Sequence, residues 1–304
     1  MALKRFDPDT HYAVQTLYPL VKRDSFKRNF LDIPYASLSP AQKLDIYLPD
    51  EGEGPFPVIL SIHGGAFMGC DKSDGQVTPA LEGLKRGYAV AAVNYRLSWE
   101  AIFPALVQDA KAAVRWVRAN ARQYHFDPER IAAWGGSAGG YQSSMLGTSA
   151  GISELEDLSL GNPDQPCHIQ AVVSWYGPTD FLKMDEYLDD SGLLQPPGFR
   201  HNEANSPESL LLGQLITEIP DKVKAANPET YIRPGAPPFL LQHGLKDHVV
   251  PVQHSIEFAS KLKKMLGSGM VELDLIEGAE HADPKFETPE NVRRVLDFLD
   301  RHLK

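Results

Sequence analysis

Ser137 lies in the run AAWGGSAGG, residues 132–140, hemmed by four glycines. Gly135-Gly136-Ser137-Ala138-Gly139 fits G-x-S-x-G, a pattern that carries chemistry where a strand turns sharply into a helix. The flanks meet that condition. Asp127-Pro128-Glu129 reads as a turn, residues 131–134 as a strand and residues 141–146 as the next helix. Glycine inside a regular element costs roughly 0.5 to 1 kcal/mol relative to alanine. Four around one serine therefore argue that the backbone passes close to something. A serine on such a bend offers its hydroxyl for nucleophilic attack. The Ala138 N–H, at a helix N-terminus, is aimed beside it, where a developing anion is favoured. The Walker lysine and the GxGxxG pattern are both missing from this run, which argues against a phosphate loop.

A serine hydroxyl is a weak nucleophile without a base, and the imidazole base needs an orienting acceptor. Asp247, in HGLKDHVVP, and His281, in EGAEHADP, each follow a strand-like run. They come in the order serine, acid, histidine that fits an α/β sheet with its site at the strand ends. Asp180, closing WYGPTD, is the alternative acid. Glu277, Glu280 and Asp283 are near His281 in sequence only. His243 and His248 flank Asp247 and are expected to compete for its loop rather than face it. Spacing gives little support to a metal cluster of His243, Asp247, His248 and His281. A second loop, His63-Gly64-Gly65-Ala66-Phe67, also follows a strand. It has the form of an HGGG-type loop, which supplies backbone donors to an oxyanion hole. Gly65 and Ala66 are the first donors, Gly64 the next, and His63 organises the loop.

These residues need a sheet to hold them. Short apolar runs bounded by glycine and proline occur at residues 57–65, 88–96, 131–134, 169–177, 237–244 and 271–278, as buried parallel strands require. Residues 44–49 read as an outer strand. Residues 1–30 read as a peripheral arm. Helical patterns fall between, at residues 104–123, 255–266 and 291–303. Alternation of this kind predicts an α/β fold with helices on both faces of a mostly parallel sheet. One domain over residues 1–304 is expected. Residues 178–232 break the rhythm and read as a helical insertion, a cap over a site, with Ser206-Pro207 as a helix start.

The chain has 304 residues and a formal net charge of -10, which argues against nucleic acid and anionic membrane surfaces as partners. Two cysteines exclude a disulfide scaffold. No apolar run is long enough for a transmembrane helix. The N-terminal residues carry no apolar leader, so a cytoplasmic location is expected for the sequence as it stands, and a secreted or periplasmic one if a signal peptide has been removed.

Taken together, LDIYLP, SIHGGAFMGCD, VNYRLS, FDPERIAAWGGSAGG, SPESLLLG, ANPETYI, PPFLLQHGLKDHVVPVQHS and GAEH resemble an α/β-hydrolase of the hormone-sensitive-lipase-like superfamily. Within it, the sequence is most similar to the bacterial carboxylesterases that include feruloyl and acetyl-xylan esterases. The resemblance runs from Leu44 to His281. It implies Ser137 as nucleophile, Asp247 as acid and His281 as base, with oxyanion donors from Gly65, Ala66 and Ala138. It implies an ester of a short acyl or hydroxycinnamoyl group, linked to a small alcohol or to plant polysaccharide, and no cofactor or metal. The loop departs from the family's pattern in reading HGGA, but alanine keeps the N–H. Phe67 and Met68 beside that loop, and Trp175, Tyr176 and Phe181 at or after the fourth long run, are candidates to wall the substrate pocket. Met184 and Tyr187 join them, and Trp99 is divided between a loop contact and scaffold packing. The same triad would serve an amidase, an arylformamidase, a general carboxylesterase or a long-chain lipase. A non-enzymatic relative tends to lose a triad residue, and all three are here.

Overall fold

The computed structural model describes residues 18–193 and 200–304. Most of the expected N-terminal arm, residues 1–17, and residues 194–199 of the expected insertion lie outside the described residues. Eight strands form one sheet: β1 (Asn29–Pro34), β2 (Lys43–Tyr47), β3 (Phe56–Ile62), β4 (Ala89–Val93), β5 (Phe126–Gly136), β6 (Ala171–Trp175), β7 (Phe239–Gly244) and β8 (Val271–Ile276). Their order is β1-β2-β4-β3-β5-β6-β7-β8. The pairs β1–β2 and β2–β4 are antiparallel, and every later pair is parallel. The helices are α1 (Thr78–Leu81), α2 (Ala105–Ala119), α3 (Ala121–Tyr124), α4 (Ala138–Thr148), α5 (Met184–Ser191), α6 (Pro207–Leu212), α7 (Pro220–Ala226), α8 (Gln253–Leu266) and α9 (Pro289–Leu303).

The strand alternation sets the layers. On β3, Val58, Leu60 and Ile62 belong to one core and Ile59 to the other. On β4, Ala89, Ala91 and Val93 oppose Val90 and Ala92 in the same way. The first core is closed by α2, α4 and α8, with Leu211, Leu212, Val223 and Ala226 from the helical insertion between β6 and β7. The second is closed by α1 and α9, where Val292, Val295, Leu296 and Leu299 repeat at helical spacing. Both sheet faces are covered, so the central strands are buried along their length and mostly apolar.

Three readings from the sequence need correction. Residues 44–49 do not give the outermost strand, because β1 pairs outside β2. Residues 29 and 30, assigned to the arm, begin that edge strand, whose alternating exposure marks a half-covered edge. The turn at Asp127-Pro128-Glu129 is absorbed into β5 as a bulge. Phe56 pairs with Phe126 while Val58 pairs with Ile131, so the extra β5 residues loop out, and Asp127 Oδ1 accepts from the Glu129 N–H.

The strand order reverses at β3. The chain leaves β3 for β4 on one side, then returns across it to β5 on the other. Loops leaving the carboxyl ends of β3 and β5 therefore part around a crevice, the place where open α/β sheets bind ligands. Glycine lets α4 start there. A Cβ on Gly139 would collide with the Ile62 carbonyl at the end of β3, and one on Gly135 would lie 2.5 Å from the same oxygen. Gly139→Ala is expected to destabilise the fold by about 3 kcal/mol through overpacking against backbone that cannot move. Thermal unfolding should register a drop of roughly 5 to 10 °C in Tm. An unchanged Tm would mean that α4 can shift off the sheet.

Candidate active site

Ser137 sits between β5 and α4 at φ 55° and ψ −121°, outside the regions that L-residues favour. Its N–H donates to the Trp175 carbonyl at 2.9 Å, and its own carbonyl accepts from Tyr141 N–H at 2.9 Å. The bend is thus fixed from the neighbouring strand and from the helix it opens. The hydroxyl is left to face His281, whose Nε2 is 3.1 Å from Ser137 Oγ. His281 Nδ1 is 2.7 Å from Asp247 Oδ2. An N–H on Nδ1 donating to the carboxylate leaves Nε2 free to accept from the serine hydroxyl. The structure brings the three residues named from the sequence into one hydrogen-bonded series.

Asp247 lies just past β7, and its side chain is fully buried. The tight turn after β7 brings the Val249 and Val250 N–H groups back onto Oδ1, at 2.9 and 2.8 Å. The sequence reading kept His243 from facing this carboxylate. In the structure His243 Nε2 is 3.3 Å from Asp247 Oδ2 and 2.8 Å from the Val250 carbonyl, while its Nδ1 accepts from the Ser255 hydroxyl at 2.7 Å. The i,i+4 separation spans a tight turn, which folds strand-end His243 back over the loop. Burial would raise the Asp247 pKa, but the charge of His281 and the hydrogen bonds from His243 and His281 outweigh it and hold the carboxyl well below the usual range.

The other acids are turned elsewhere. Asp180 caps a short turn through the Leu182 N–H and accepts from Asn227. Asp283 Oδ1 caps the turn that begins at Pro284, accepting from Lys285 N–H. Among the described residues no group of three His, Cys, Asp or Glu side chains is arranged to hold a metal ion.

The loop after β3 is wound left-handed. Gly65, Ala66 and Phe67 have φ of 105°, 53° and 64°. The Gly65 carbonyl closes the turn by accepting from Met68 and Gly69 N–H groups at 2.9 and 3.0 Å. Gly64 N–H is already engaged, donating to Gln76 Oε1 at 2.9 Å, so it is removed from the donor set. The N–H groups of Gly65, Ala66 and Ala138 have no acceptor among the described residues. His63 stacks on Tyr95, with ring centroids 4.5 Å apart, and its Nδ1 meets the Gly64 carbonyl at 2.8 Å. It braces the loop from behind.

Ser137 and Ala138 open onto a cavity of about 300 Å³, walled by Ala66, Phe67, Met68, Pro178, Val249 and Val250. Phe67 and Met68 line it. Trp175, Tyr176 and Phe181 do not. Phe181 is fully buried in the first core and packs against Tyr141 and Phe67. Trp175 points to the opposite face of the sheet, where its indole N–H donates to Gln242. Tyr176 stands edge-on to His281 with centroids 4.8 Å apart, backing the imidazole rather than lining the cavity. Trp175 and Tyr176 both pack into the second core, against Phe286, with Tyr176 turned there by a positive φ of 40° just past β6, which apolar character alone does not reveal. Met184 is core, Tyr187 packs edge-on to His254, and Trp99 is 37% exposed. The sequence reading missed His201, Pro207 and Glu208 as cavity residues. Glu208 was visible only as part of a helix start, and nothing local distinguishes His201.

The BD-FAE family model matches residues 44–262. The probable carboxylic ester hydrolase LipM of Mycobacterium tuberculosis is 31% identical over 247 residues, which is 80% of this chain and 54% of that protein. The chain spans 54% to 61% of the length of LipM and of the mycobacterial esterases LipQ and LipC. Among solved structures, a truncated carbohydrate esterase from gut microbiota superposes with a TM-score of 0.81 at 30% identity, covering 93% of this chain and 99% of that one. A bifunctional GH43-CE protein of Bacteroides eggerthii gives a TM-score of 0.81 at 32% identity, covering 91% and 35%.

Proposed function

We propose, from the premise that this chain belongs to the BD-FAE family of α/β-hydrolase-fold carboxylesterases, that it hydrolyses carboxylic esters of short acyl or hydroxycinnamoyl groups through an acyl-serine. The observation that carries the reading is the series from Ser137 Oγ to His281 at 3.1 Å and from His281 to Asp247 at 2.7 Å. His281 Nε2 takes the Ser137 proton as Oγ attacks the ester carbonyl. The N–H groups of Gly65, Ala66 and Ala138 receive the charge that develops on the carbonyl oxygen. His281 then returns the proton to the departing alcohol. In the second half, His281 deprotonates a water that attacks the acyl-serine, then returns that proton to Ser137 Oγ as the acyl–oxygen bond breaks and the acid leaves. Asp247 holds the imidazole in the tautomer both halves need and stabilises its charged form.

The mostly apolar cavity, about 300 Å³ in volume, supports a small acyl group over a long chain. A plant-polysaccharide ester draws support from the carbohydrate esterase that the chain resembles in structure. Among the described residues no helix is long and apolar enough to cross a membrane. The test is a matched panel of p-nitrophenyl acetate, butyrate and octanoate with methyl ferulate, alongside labelling by a serine-reactive phosphonate mapped by mass spectrometry. Label on Ser137 and kcat/KM highest for acetate or ferulate are expected. Preference for octanoate would replace the acyl assignment. Label on Ser137 with turnover of amides or formamides only would replace the ester.

A further inference from the structure

The cavity at Ser137 has one charged feature that the proposed reaction does not use. His201 and Glu208 meet at its wall, with His201 Nδ1 2.9 Å from Glu208 Oε2 and side chains only 2% and 4% exposed. His201 Nε2 donates to the Val249 carbonyl at 3.0 Å, so that nitrogen carries a proton. The main-chain N–H groups of His201 and Asn202 donate to the two oxygens of Asp185 on α5, both at 2.9 Å, which pins the segment. Burial would lower the His201 pKa, but Glu208 and Asp185 outweigh it and raise it, which favours an imidazolium–carboxylate pair.

Only one oxygen of Glu208 is used in this way. Oε1 has no hydrogen-bond partner among the described residues, and it is not among the sealed unpaired atoms of the interior. Glu208 itself lines the cavity, whose other walls include Ala66, Phe67, Met68, Pro178, Val249 and Val250. An apolar pocket beside a nucleophile, with one oriented acceptor, selects a ligand that is apolar along its body and carries one donor.

We propose that Glu208 is a specificity-determining residue whose Oε1 accepts a hydrogen bond from a hydroxyl on the substrate's acyl group, with His201 as the positioning residue that fixes the carboxylate. This rests on the reading of Ser137 as the nucleophile of an ester hydrolase. It narrows the substrate class to hydroxylated aromatic acyl esters over their unsubstituted counterparts. The physical basis is asymmetry. A site built to bond a hydroxyl rejects the analogue without one, because the buried acceptor then loses water and gains nothing.

The experiment compares kcat/KM for methyl 4-hydroxycinnamate and methyl cinnamate in the wild type, Glu208→Gln and Glu208→Leu. The wild-type ratio should favour the hydroxylated ester about 10- to 100-fold, the range for a hydrogen bond to a charged group. Glu208→Gln keeps the shape and a carbonyl acceptor without the charge, and its ratio should fall several-fold. Glu208→Leu should bring the ratio near one. The ratio is taken within each variant, so loss of folded protein lowers both rates together and does not move it. Should Glu208→Leu fail to fold, Glu208→Gln alone decides the matter. A wild-type ratio near one, or a ratio unchanged in both variants, overturns the proposal. p-Nitrophenyl acetate is run in parallel. Acetate turnover with neither cinnamoyl ester cleaved sinks the proposal and leaves the ester-hydrolase reading standing. Turnover of no ester sinks both.

Discussion

Replacing Ser137 with alanine will lower kcat/KM for p-nitrophenyl acetate by about 10,000- to 1,000,000-fold while the protein stays folded. The size follows from serine hydrolases of known mechanism, where losing the nucleophile costs about as much as losing the whole triad. The fold is expected to survive because the bend at Ser137 is held by its main chain, through the Trp175 carbonyl and the Tyr141 N–H, and not by its side chain. Alanine keeps both bonds and inherits the same positive φ. Unfolding midpoints therefore separate lost chemistry from lost structure. The residual rate is informative as well, since the N–H groups of Gly65, Ala66 and Ala138 remain to polarise a bound carbonyl. Wild-type turnover by a clean preparation of the alanine variant would remove Ser137 from the reaction altogether.

Asp247→Asn is expected to lower kcat by about 10,000-fold, the loss seen when a triad aspartate becomes an amide and the imidazole settles in the wrong tautomer. The surroundings here make the substitution harsh. The carboxylate takes two main-chain N–H groups on Oδ1, and His281 with His243 on Oδ2. An amide nitrogen on either side would face a donor. Stability should change with pH in a definite direction. Asp247 is held below its ordinary value near 3.9, so its contribution is fully present above that pH and is lost as pH falls through the folded value. Urea unfolding should therefore show the wild type ahead of Asp247→Asn at pH 7, with the gap closing as pH drops below about 4. An asparagine variant with normal kcat would detach the acid from the reaction. A gap that widens in acid would mean that the carboxylate is not stabilised by folding.

The site was legible where chemistry and punctuation coincide. Ser137 is announced by glycines that the packing against β3 demands, the 63–67 loop by glycines crowded against the Gly136 and Gly69 carbonyls, and Asp247 and His281 by their place just past apolar runs. The parallel strands were readable for the same reason, since both faces of the sheet are covered. The edge was not. β1 carries an alternating, half-exposed pattern with a register shift at Phe30 to Ile33, which reads as irregular chain until β2 pairs with it. The pocket walls were the weakest reading. Trp175 and Phe181 look like binding residues because they are large and follow a strand, but large apolar side chains are usually consumed by cores. Glu208 and His201 gave the opposite error. A glutamate in a first helical turn looks like capping chemistry, and its meeting with His201 and Val249 exists only in three dimensions.

The peptide group joining Val249 to Val250 does two jobs at once. Its N–H, from Val250, serves the triad carboxylate, and its carbonyl, from Val249, serves His201 at the pocket wall. Catalytic machinery and substrate fitting are commonly treated as separable parts, one conserved and one free to drift. In this molecule a single rigid amide unit joins them. Evolutionary or laboratory tailoring that recuts the pocket at His201 tugs on the solvation of the acid, so new selectivity and turnover number are traded against each other unless a compensating change resets that one plane.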